Sequence, residues 1–248
     1  MKKAALLLLT LSALLAASCK EEKEKPKVIY EEPKASKNEP QRAESQIKVA
    51  DLPVLMEGSK YLIHPIGDIR IYEDNSKSYG SSRTNDKVSY AISNYNRFEI
   101  TGYFENLKFQ HVDSTAMHAL TDKPVQIQTA TYLNTIADKS KKQVLVYTLV
   151  DADTNKDAKL DDNDIRALYI SDISGKGFTK ISQDMQELID WNIIEAQNKL
   201  YFRTIEDINK NGAFDQNDSV HYYYADLLSP TWNVTSYEPV TPAPVPAE

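Results

Sequence analysis

Cysteine is all but missing from this chain of 248 residues. Cys19 stands alone, which excludes an intrachain disulfide and any Cys-based zinc site. Glycine is scarce too, at seven residues, and no Gly-rich phosphate loop, nucleophile elbow or zinc signature occurs. Positive charge is in deficit: a formal charge of −7 and a pI near 5.2 argue against a nucleic-acid partner, which would need a basic footprint. The four histidines (His64, His111, His118, His221) share no ligand spacing, and no catalytic constellation appears. The N-terminal apolar run, Ala4 to Ala17, has 14 residues, too short to span a bilayer.

What the chain does have is tyrosine, fifteen residues, and many short runs of β-branched and aromatic residues bounded by turns. Such runs predict strands and an all-β fold. In the C-terminal half the runs predicted are Val125–Leu133, Val144–Val150, Ala167–Ile170, Phe178–Ile181, Leu188–Ile194, Leu200–Ile205, Val220–Ala225 and Val234–Tyr237. Gln183 to Ala196 also admits a partly helical reading. Earlier strands are expected at 60–66, 69–72, 88–92, 98–104 and 107–112. Between them Asp74 to Asp86 is a polar loop without pattern, expected to be mobile or part of a binding surface.

Two acidic stretches, Asp153–Asp164 and Asp207–Asp218, repeat at a spacing of 54 residues with six of twelve positions identical. Chance would give roughly one match. Side-chain oxygens fall at positions 1, 3, 5, 9 and 12: Asp153, Asn155, Asp157, Asp161 and Asp164 in the first loop, Asp207, Asn209, Asn211, Asp215 and Asp218 in the second. Position 7, which supplies a backbone carbonyl, is Lys159 or Ala213. That is the ligand spacing of a twelve-residue calcium loop, whose position 6 wants glycine. The second copy has Gly212 there and the first has Ala158. Two Ca2+ ions are expected. The flanks are strand-like rather than amphipathic helices, so the loops read as ion-filled strand connectors and structural clamps instead of a sensor pair. Their ligands resemble EF-hand and dockerin-type loops, with Asp in place of Glu at position 12.

The same offset pairs Tyr169 with Tyr223 and Asp172 with Asp226. Each unit reads strand, strand, calcium loop, strand, turn, strand, a four-stranded antiparallel repeat of about 50 residues. The stretch Ala167 to Gly175 with Lys180-Ile181-Ser182, and again Leu107 to Asp122, resembles the outer strands of TolB-type propeller blades. The resemblance implies a β-propeller-like architecture. About 190 folded residues, 50–238, hold three to four units, so a small or incomplete propeller and a stack of sheets both remain open.

The N-terminus carries an address. Residues 1–18 read as a signal peptide, with Lys2 and Lys3 ahead of the apolar run. The ending Leu15-Ala16-Ala17-Ser18-Cys19 resembles a bacterial lipobox, which implies lipidation of the Cys19 sulfur and attachment to the outer membrane. Lys20-Glu21-Glu22-Lys23-Glu24 resembles the surface-export signal of Bacteroidetes lipoproteins, implying surface exposure; the alternative is a periplasm-facing tether. Residues 19–49 are Lys, Glu, Pro and Ser-rich and predict a flexible tether; 239–248 predict a Pro-rich tail. The expected protein is a non-enzymatic, calcium-binding envelope lipoprotein held at the membrane, with a glycan or envelope protein as partner. A calcium-stabilised hydrolase and a low-affinity calcium-responsive module are the alternatives.

Overall fold

Residues 26–30, 47–71 and 88–240 are described by the computed structural model. The signal stretch, Cys19, the charged run 20–24, the polar loop Asp74 to Asp86 and the tail from 241 lie outside the described residues. Seventeen strands follow one another among the described residues. The N-terminal ones are β1 (Lys48–Ala50), β2 (Val54–Leu55), β3 (Tyr61–Asp68), β4 (Arg70–Ile71), β5 (Val88–Ser89) and β6 (Ser93–Tyr95). Next come β7 (Glu99–Phe104), β8 (Asn106–His111), β9 (Met117–Ala119), β10 (Gln126–Tyr132) and β11 (Val144–Val150). The remainder are β12 (Arg166–Asp172), β13 (Thr179–Lys180), β14 (Gln186–Ile194), β15 (Lys199–Glu206), β16 (Ser219–Asp226) and β17 (Val234–Tyr237). One short helix, α1 (Asn134–Ser140), sits between β10 and β11.

The protein is all-β, and its strands pair antiparallel. One sheet has the order β1-β3-β8-β9, with β2 also on β3; a six-stranded sheet runs β13-β12-β11-β10-β7-β6; a third is the meander β14-β15-β16-β17. Among the described residues no sheet closes on itself, and β4 pairs with β5 separately. The repeat is visible here. β10-β11-loop-β12-β13 and β14-β15-loop-β16-β17 are two meanders of the same order, the first extended by β7 and β6.

Strand β11 explains how the layers stack. Its sequence, Val-Leu-Val-Tyr-Thr-Leu-Val, is apolar at nearly every position and buried throughout, the pattern of a strand covered on both faces. Leu145, Tyr147 and Leu149 enter one core, with Ile63 of β3, Leu107 and Phe109 of β8, and Ile100 and Phe104 of β7. Val144 and Val146 enter a second, with Leu168 and Ile170 of β12, Leu188 of β14, Leu200 and Phe202 of β15, and Tyr223 of β16. The six-stranded sheet is therefore the middle of three layers, because side chains alternate across a strand.

One alternative of the sequence reading is decided and one element is new. Gln186–Ile194 is strand, with alternating exposure over its outer half and a register shift between Leu188 and Asp190. Pairing with β15 along its whole length settles what the Asp190-Trp191-Asn192 centre left ambiguous. The helix α1 lies between two predicted strands, in a stretch to which the sequence reading assigned no element; Ile136 and Ala137 bury into the two cores, and Lys141 ends it in the left-handed conformation. Both segments that resemble propeller blades form hairpins, β8-β9 and β12-β13. Gly175, in the β12-β13 turn at φ 80°, lies so close to the Phe109 ring that a Cβ would approach it to 2.5 Å.

The second core joins the two repeats, and Phe202 stacks on Tyr223 at its centre with ring centroids 5.1 Å apart. Phe202→Ala is expected to destabilise the fold by about 3–5 kcal/mol. Urea unfolding should remain one transition; two separated transitions would show that the meanders do not share a core.

Candidate metal centres and the strap between them

Both acidic loops connect neighbouring antiparallel strands, β11 to β12 and β15 to β16. Their local geometry follows from short polar side chains that accept from nearby backbone N–H groups. In the first loop, Asp153 accepts from the N–H groups of Asp157 (3.1 Å) and Ala158 (2.9 Å), and Asn155 from Asp157 (2.9 Å). Asp157 accepts from Lys159, and Asp161 from Asn163. Asp164 closes the loop, taking the N–H groups of Thr154 (2.7 Å), Asn155 and Asp161.

The second loop repeats this network. Asp207 accepts from Asn211 and Gly212 (2.7 Å), Asn209 from Asn211, Asn211 from Ala213, and Asp215 from Asn217. Asp218 returns to Ile208 and Asp215. Positions 4 and 6 have positive φ in both copies: Lys156 and Ala158 at 60° and 65°, Lys210 and Gly212 at 57° and 84°. The equivalence therefore extends to backbone conformation.

Burial differs between the copies. Asp164 is fully buried in the first loop, whereas Asp207 is buried in the second. Burial pushes the Asp164 carboxyl above its usual range, against the pull of the three backbone N–H bonds; the neighbouring Asp153 adds to the rise. Among the described residues no three Asp, Glu, His or Cys side chains converge as a ready-made metal cluster. The nominated donors are all oxygen, drawn from carboxylates, Asn amides and the carbonyls at Lys159 and Ala213. That donor chemistry suits a hard cation such as calcium.

Residues 26–30, inside the stretch expected to be tether, run between the two loops. The N–H groups of Lys27 (2.7 Å) and Val28 (3.2 Å) donate to Gly212 O, and Ile29 N–H donates to Thr154 O (3.0 Å). The Thr154 hydroxyl donates to Lys27 O (2.8 Å) and accepts from Ile165 N–H (3.0 Å). Val28 is only 2% exposed. The Tyr30 hydroxyl reaches Asp207 O, and burial first, then the Asp207 carboxylate, pushes its phenol up to about 12. Lys27 Nζ pairs with Glu187 (3.1 Å), which also holds Arg166 Nε (2.7 Å) and Arg166 N–H (2.8 Å). Thus the strap, the first residue of β12 and the start of β14 meet at one buried carboxylate.

Beside the first loop lies a cleft of about 530 Å³, lined by Lys27, Thr101, Gly102, Tyr103, Gln128, Asp162 and Arg166. Asp162 accepts from Tyr103 OH (2.8 Å) and Gln128 Nε2 (2.7 Å). Gln128 occupies the register shift of β10, and such a bulge re-aims a side chain. Sequence reasoning nominated six residues in each loop as ligands and did not single out Thr154 of the first loop, nor Glu187, Arg166, Gln128 and the strap. The one available signal was Val28-Ile29-Tyr30, three β-prone apolar residues in a charged stretch. His64, His111, His118 and His221 bond to Gln110, Asp113, Ser174 and Glu206 respectively and do not assemble into a site.

Compared with protein-family models, curated proteins and solved structures, the chain matches none.

The position-6 residues give opposite expectations. Ala158→Gly should stabilise the protein by up to about 1 kcal/mol, because the left-handed conformation burdens alanine. Gly212→Ala should cost more than about 1 kcal/mol, since the added Cβ would meet Val28 O at 2.4 Å as well as the positive φ. Chemical denaturation at a fixed calcium concentration measures both; equal and opposite shifts would contradict the steric role of the strap.

Proposed function

We propose that this protein is a calcium-binding lipoprotein of the cell envelope, a non-enzymatic binding module whose β-layers are clamped by two structural Ca2+ ions. The single observation that carries the reading is the duplicated loop network, in which position 1 accepts from positions 5 and 6 and position 12 from positions 2 and 9 in both copies. Each calcium would be held by the side chains at positions 1, 3, 5, 9 and 12 and the carbonyl at position 7. It would neutralise carboxylates crowded at the ends of paired strands. The two meanders are then blade-like units of an open array, with their calcium loops at equivalent points.

Lipidation at Cys19 would hold the domain at the outer membrane, facing the exterior. Calcium is plentiful there, and modules with affinities of about 10⁻⁴–10⁻³ M stay loaded. The cleft beside the first loop supports a polar, hydroxyl-rich partner such as a glycan. It offers the Tyr103 ring, the Gln128 amide and the Arg166 guanidinium, with Asp162 the single carboxylate in its lining.

Chelation tests the clamp. At calcium a hundredfold above its dissociation constant each site contributes about 2.7 kcal/mol, so EGTA should lower Tm by about 5–10 °C per loaded site. Calorimetry should count two ions in the wild type and one in either Asp153→Ala or Asp218→Ala. A melting temperature indifferent to EGTA would sink the structural calcium reading.

A further inference from the structure

The strap 26–30 touches both loops and continues toward the expected anchor. We propose that it is a latch: with cation in both loops it docks and shortens the free chain between the membrane anchor and the β-domain, and without cation it releases and lengthens that chain. The inference rests on the calcium reading of the two loops and on lipidation at Cys19, and adds to them a regulated distance from the membrane.

The contacts support coupling because they fall on backbone atoms whose positions depend on loop order. Gly212 O, which accepts from Lys27 and Val28, belongs to the residue whose own N–H is held by the position-1 carboxylate Asp207. Thr154 O accepts from Ile29, and Thr154 N–H is held by the position-12 carboxylate Asp164. Each loop therefore presents to the strap a residue pinned by one of its candidate ligands. Gly212 lies flush against Val28, with no room for a Cβ, so the docked backbone requires this loop conformation. A loop that loses its cation leaves its carboxylates repelling one another and loosens the acceptor it presents to the strap.

Chain length gives the latch a consequence. Pro26 lies seven positions after Cys19, whereas Ile47, where the described β-domain begins, lies 28 positions after it. At full extension these are at most about 25 Å and about 100 Å. A docked strap thus keeps the domain close to the bilayer whatever the intervening chain does. Linkage makes the coupling reciprocal: what calcium does for the strap, the strap does for calcium.

Hydrogen exchange on the full chain, in 10 mM calcium and in EGTA, reads the latch at the amides of residues 27–29. Calorimetry with calcium alone reads the sites. The expected result is exchange at 27–29 at least tenfold faster in EGTA while the β11 amides stay protected in both. Val28→Asp, which expels the strap, should weaken calcium binding by fivefold or more with β11 still protected. Calcium binding with unchanged exchange at 27–29 would overturn the latch and leave the calcium reading standing. Absence of calcium binding to the wild type would overturn both. Undiminished affinity in Val28→Asp would overturn the coupling alone.

Discussion

Chain reversal through two acidic loops, whose carboxylates take the backbone N–H groups, is the constraint on which the rest depends. Each acidic loop must reverse the chain between strands that pair to their very ends, Val150 with Arg166 and Glu206 with Ser219. The intervening residues, fifteen in the first loop and twelve in the second, accomplish this by giving backbone N–H groups to aspartate and asparagine oxygens. Two of these carboxylates, Asp164 and Asp207, are buried. Burying a carboxylate is costly unless its lone pairs are used, and here backbone donors use them.

The junction between repeats shows the same economy of charge. Glu187, buried at the start of β14, holds Arg166 from β12 and Lys27 from the strap. Arg166 directly follows the residue after Asp164, so the end of the first loop is tied to the second repeat within a few residues. Lys27 brings in the strap at the same point. The three-layer stack is held by apolar cores, but its loop-bearing end is organised by one glutamate and its two cations. Tyr103 and Gln128, on the inner strands β7 and β10 of the middle sheet, extend this polar organisation to Asp162 and help to line the cleft.

Much of the architecture was readable residue by residue. The run Val144–Val150 coincides with β11 and Val234–Tyr237 with β17, because β-branched and aromatic runs have few other uses at that length. The 54-residue offset exposed two equivalent meanders before any pairing was known. Less legible was α1, seven residues with no strong periodicity, stabilised by burial of Ile136 and Ala137 between two cores. The strand character of Gln186–Ile194 also needed its partner, since Asp190-Trp191-Asn192 has no decisive local preference. The order of the layers was not legible, because alternation along β11 is hidden when both faces are apolar.

By itself the sequence determined the loops. Their side-chain oxygens lie within twelve consecutive residues, so spacing alone dictates which backbone N–H groups they can take and which positions need a positive φ. It also determined the all-β class, since strand propensity and alternation are local. Tertiary structure alone decided that the loops stand close enough for one strap to bond to both, that Gly212 is walled in by Val28, and that a bulge in β10 turns Gln128 onto Asp162. Those facts join residues as far apart as 27 and 212, and no local pattern encodes a contact whose partners are brought together only by packing.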